Sequence, residues 1–114
     1  MSYLYSGELN KRILLQRPEI EHGPLGEELP GHLVDIAKVW ARAELKSNRK
    51  IRTMDQKQVV ETWLFTIGPR NDIEIGWKIQ WLNGSFTVVA VDRSHSDRVE
   101  IKAERDGRHD RTGN

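Results

Sequence analysis

Apolar side chains recur at every second position in several short blocks along this chain, the pattern of strands with one buried face. Lys11 to Arg17 places Ile13 and Leu15 on one face and Leu14 and Gln16 on the other, and Pro18 closes the block. Trp63, Phe65 and Ile67 alternate with Leu64 and Thr66 before Gly68-Pro69. Trp77, Ile79 and Trp81 alternate with Lys78, Gln80 and Leu82. Asn83-Gly84 then predicts a tight hairpin, because both residues tolerate positive φ. The return strand runs from Ser85 to Val91, with Phe86, Val88 and Ala90 opposed to Thr87, Val89 and Val91. Arg98 to Glu104 turns Val99, Ile101 and Ala103 inward and Arg98, Glu100, Lys102 and Glu104 outward.

Between these blocks the signal changes. Alanines in Ile36 to Leu45 favour helix, but Val39, Ala41, Ala43 and Leu45 alternate with Trp40, Arg42 and Glu44, and we assign a strand. Residues 46–60 lose the alternation. Gln56, Lys57 and Gln58 predict a short helix there, capped by Thr53 or Asp55 and ending at Val60. Residues 19–35 carry five acidic residues, no Lys or Arg, and Gly23, Pro24, Gly26, Pro30 and Gly31. That composition predicts an exposed acidic loop, read either as a functional segment or as a disordered insertion. Residues 105–114 have nothing to bury and read as a flexible tail. About six strands in one sheet leave open edges unless the sheet closes. The expected fold is therefore all-β: a small closed or partly closed barrel over residues 1–104, with a short helix and long loops inserted.

Length and charge narrow the function. A chain of 114 residues fits one domain, and its apolar residues, 37% of the total, are bunched rather than diluted. A formal net charge of +1 argues against wrapping nucleic acid as the main task. The absence of cysteine excludes disulfides, thiol nucleophiles and thiolate zinc sites. The longest apolar blocks are far too short to span a bilayer, so synthesis in the cytoplasm and no membrane partner are expected.

Enzymatic readings find little support. The chain contains no GxGxxG, GxxxxGK[ST] or HExxH pattern. His22 and His32 could meet Glu21 or Asp35 at a metal, but spacing so wide in a loop favours ordinary surface histidines. Asp92, His95 and Asp97 suggest either an acid–base cluster or, more simply, a polar hairpin loop. Ser94 and Ser96 lack a nucleophile-elbow context. No catalytic residue, metal or cofactor is expected. Trp63, Trp77 and Trp81 read as core. Trp40 points opposite Val39 and Ala41 and is either an interface anchor or buried under the helix. The remaining signal is a separation of sign. Lys46, Arg49, Lys50, Arg52 and Lys57 form a basic segment, whereas Glu27, Glu28 and Asp35 belong to the acidic one. The two segments could meet between copies, the basic one could meet phosphate, or it could be a solvated linker.

Taken in order, these pieces resemble the head-tail joining (head-closure, or stopper) family of long-tailed bacteriophages. The matching residues are Gly7 to Ile13 running into Leu15-Gln16-Arg17-Pro18, then Val39-Trp40-Ala41 and a polar segment. Thr62 to Ile67, Ile75 to Ile79, Trp81 with Asn83-Gly84, Phe86-Thr87-Val88 and Arg98 to Ile101 follow. The resemblance implies a non-enzymatic virion protein, made in the host cytoplasm. It implies a homo-oligomeric ring between portal or adaptor and tail that helps retain packaged DNA. Segments 19–35 and 46–60 would reach the channel or neighbouring subunits. The free protein could be a monomer, and contact with double-stranded DNA would be non-specific. The rival readings are a tail-terminator or tail-completion protein, and an OB-like single-stranded nucleic-acid-binding module with outward aromatics.

Overall fold

A computed structural model describes residues 8–53 and 56–106. Its elements are six strands: β1 Lys11–His22, β2 Glu28–Thr53, β3 Gln56–Ile67, β4 Lys78–Trp81, β5 Gly84–Asp92 and β6 Val99–Arg105. All neighbours pair antiparallel, in the order β1-β2-β3-β6-β5-β4, and the sheet closes into a barrel. The closing seam is short. Only Leu14, Leu15 and Gln16 of β1 pair with Gln80, Ile79 and Lys78 of β4.

The alternation fills the interior as expected. Ile13, Leu15, Phe65, Ile67, Ile79, Phe86, Val88, Val99 and Ile101 are all buried. Trp63, Phe65, Trp81 and Phe86 form an aromatic cluster with mostly edge-on contacts, the geometry favoured by ring quadrupoles. The connection from β3 to β4 crosses one end of the barrel and seals it with buried Ile73 and Trp77. Arg93 donates to the Ile73 carbonyl, and backbone bonds join Gly76 and Trp77 to Val88. The barrel is thus a packed core and not a pore.

Several expectations are corrected. The segment at 19–35 is not a loop. β1 continues through Pro18 to His22, and β2 starts at Glu28, so the segment is a hairpin whose turn is only Gly23 to Glu27. Gly31 shows how the prolines and glycines are accommodated: a Cβ there would run into the Glu19 carbonyl oxygen. The ladder skips register between Pro18 and Ile20 at the same place.

The helix expected up to Val60 is also a strand. β3 begins at Gln56 and pairs residue by residue with β2, from Thr53↔Gln56 to Ser47↔Thr62. Cross-strand pairing overrides the helix propensity of Gln56, Lys57 and Gln58. Asp55, one proposed cap, lies outside the described residues. Arg105, placed in the tail, closes β6, and Asp106 is tied to the sheet by its amide, which donates to the Ser85 carbonyl at 2.8 Å. The rest of the expected tail lies outside the described residues.

Two details of register differ. The tight corner is Leu82-Asn83, with φ of 52° and 54°, and Gly84 already pairs with Trp81. A bulge between Val88 and Ala90 then swaps faces, so Val91 packs on the core and Ala90 is exposed.

β2 organises everything else. Its 26 residues would extend about 85 Å if straight, yet the longest dimension of the molecule is 46 Å, so the strand bends strongly. Register shifts fall between Leu15 and Gln16 and between Leu45 and Ser47, where β2 leaves the barrel at either end. Beyond them it forms one protruding hairpin with β1 and a second with β3. These arms account for a radius of gyration of 16.1 Å, against about 13 Å for a compact chain of this length.

Candidate interaction surfaces

Strand direction fixes what each end of the barrel presents. β2 runs from the β1–β2 arm to the β2–β3 arm, so the arms leave opposite ends. The β3–β4 crossing and the β5–β6 loop share the first end. The Leu82-Asn83 corner, Glu8 and Asp106 share the second.

The first arm is acidic and apolar-tipped. Glu21, Glu27, Glu28 and Asp35 are exposed, and Leu25 stands at the tip with 91% of its surface free. Gly26, at φ +83°, makes the turn, and the Leu25 amide donates to Glu27 Oε1 at 3.0 Å. Near the base, Gln16 Nε2 donates to Asp35 Oδ1 at 2.8 Å. His32 Nδ1 lies 3.3 Å from Glu21 Oε2, while His22 sits across from Glu28.

The second arm is basic. Lys46 sits at the bulge, 4.0 Å from Glu44, and Arg49 and Lys50 are exposed across from Val60 and Val59. Arg52 and Lys57 are register partners on the backbone ladder.

The structure keeps the acidic and basic sets apart, at opposite ends of β2. Trp40 belongs to neither. It lies on the barrel flank, 51% exposed and not covered by a helix, with the Arg12 guanidinium 4.9 Å from its ring centroid. Trp63 and Trp81 pack against the core and Trp77 is buried, so these three rings do not form the outward stacking platform that the OB-like reading needs.

Sequence reasoning missed a groove beside that flank. Arg12, Ile13, Leu14 and Lys38 face Gln80 to Gly84 across the short seam, around a shallow space of about 400 Å³. Its cations come from two different strands, and only the pairings Lys38↔Leu14↔Gln80 bring them together. A pattern that marks Arg12 and Lys38 as outward was legible; their convergence was not.

The histidine cluster is a set of polar contacts around the β5–β6 loop. His95 Nε2 lies 4.0 Å from Asp92 Oδ2 and 3.9 Å from Glu100 Oε1. Each carboxylate already has a partner: Ser94 donates to Asp92 from its hydroxyl and its amide, and Arg98 Nε donates to Glu100. The Ser94 bonds hold the Asp92 carboxyl below its ordinary range. Asp97, the third expected member, pairs with Arg98 instead.

Comparison with known proteins gives this geometry a context. No curated protein matches the chain. The fold is similar to that of protein SF1141 from Shigella flexneri 2a, at 19% identity and a TM-score of 0.66, covering 90% of this chain and 97% of that one. It is also similar to the phage-like element PBSX protein xkdH of Bacillus subtilis, at 16% identity and a TM-score of 0.52, covering 84% and 93%. The family described as phage head completion protein matches residues 4–106, nearly the whole chain, and the chain belongs to that family.

Proposed function

We propose that this protein completes the phage head by forming a ring of copies between the portal or its adaptor and the tail, and that the ring helps retain packaged DNA. Family membership supports a head-completion role in general. The finer reading rests on one observation: a rigid, filled barrel carries an acidic arm at one end and a basic arm at the other.

A single barrel of this size buries too little surface to hold a large assembly, so strength comes from repeated copies. Free protein at low concentration is then a monomer whose weak contacts between copies are reinforced on its template. The basic arm, with Lys46, Arg49, Lys50, Arg52 and Lys57, faces duplex phosphates. Such contact acts through phosphate attraction and reads no bases. The acidic arm and Trp40 face protein. No step in this role requires catalysis or a cofactor. The protein is made in the host cytoplasm and ends in the virion.

Electron microscopy of particles made without this protein tests the reading. DNA-filled or leaking heads beside complete, unattached tails are expected. Normally joined particles, or tails of irregular length on closed heads, would refute it, the latter in favour of a tail-terminator role.

A further inference from the structure

We infer that the seam groove between Arg12, Lys38 and Leu82 receives the acidic hairpin tip of a second copy of this chain. The inference deepens the ring reading, since it rests on copies standing side by side.

The groove is cationic and apolar at once. Arg12 and Lys38 are exposed, form no ion pair among the described residues, and no carboxylate lines the space. Leu82 is 64% exposed on its rim and Trp40 is 51% exposed next to Arg12. An occupant that suits it carries two negative charges beside an apolar side chain. The hairpin tip has that composition: Leu25, 91% exposed, next to Glu27 and Glu28. Both halves of the contact are cooperative in kind, because apolar contact excludes water around the charge pairs.

The occupant cannot be the tip of the same molecule. β1 continues from Leu14 in the groove into the arm as one strand through His22, so about 26 Å of strand contour leads away from the groove before its own tip begins. A tip of one copy in the flank of the next is a heterologous contact, the kind that repeats into a ring.

The chain has no cysteine, so two single-cysteine proteins report the contact directly. L25C and L82C chains are mixed at high concentration and oxidised. The expected dominant product is the L25C–L82C heterodimer. It is expected to be lost when R12E/K38E is added to the L82C chain or E27K/E28K to the L25C chain, and to return when both are present. Heterodimer at no more than the statistical share overturns the inference. So does a mixture in which a short DNA duplex shifts the groove amides and no heterodimer forms, which would make the groove a phosphate site. These readouts use purified protein alone. Their failure leaves the unjoined-particle phenotype standing, and the absence of that phenotype leaves the cross-link standing.

Discussion

Arg12 and Trp40 are direct cross-strand partners on β1 and β2, with the guanidinium carbon 4.9 Å from the indole centroid on the outer face of the barrel. The pair makes a flat, half-exposed platform on an otherwise polar flank. Its burial is small, so its contribution to folding is small. Trp40→Ala is expected to lower the unfolding free energy by about 0.5–1 kcal/mol in a urea titration. The same variant is expected to join heads to tails poorly. A loss several times larger would show that Trp40 belongs to the core.

Phe65 gives the opposite case. It is fully buried, 5.3 Å from Phe86 and 5.7 Å from Trp81, both edge-on. Phe65→Ala is expected to cost about 3–5 kcal/mol, a large share of the total stability of a small domain. Loss of the tryptophan fluorescence signature at much lower urea than in the parent checks this.

Gly31 separates arm from barrel. A methyl group there meets the Glu19 backbone, so Gly31→Ala is expected to displace the arm while leaving the barrel intact. Amide resonances of residues 19–22, 28–29 and 31–33 should shift, those of β5 and β6 should not, and the melting midpoint should stay nearly constant. Global unfolding would refute the separation.

Asp106 links stability to pH. Burial pushes its carboxyl up, but hydrogen bonds from Thr87, Lys78 and Ser85 outweigh that and hold it below the ordinary range. Lys78 Nζ lies 3.0 Å from Oδ2 and the Thr87 hydroxyl donates to Oδ1 at 2.5 Å. The unfolded chain binds the proton more readily, so the stabilisation is full above an unfolded pKa of about 3.9 and disappears as pH falls through the folded value. Asp106→Asn is expected to remove this acid-side slope, seen in melts between neutral pH and pH 2. Arg105 also lies over Phe86, at 5.6 Å, so a chain ending at Glu104 is expected to melt below one ending at Asp106.

How much of this was legible follows from where faces are buried. Ile13 with Leu15, Phe65 with Ile67, and Val99 with Ile101 each alternate because one side of their strand meets the core, and those strands were readable. Residues 20–29, 31–34 and 47–50 include no buried side chain, so these stretches show no period, and Pro18, Pro30 and Gly31 imitate a loop. Gln56 to Gln58 imitate a helix for the same reason: only the ladder with β2 decides their conformation. Trp40 could be assigned outward from its neighbours, but the Arg12–Lys38–Leu82 groove depends on the β1–β4 seam, a pairing between residues more than sixty apart.

Because β2 is one unbroken strand through both arms, its backbone is also the shortest mechanical path between the two ends of the molecule. A pull between the two hairpins would load the covalent backbone of β2 itself, so the tie between them does not depend on any single interstrand hydrogen bond, and because the strand is bent such a pull would first tend to straighten it against the ladders on either side.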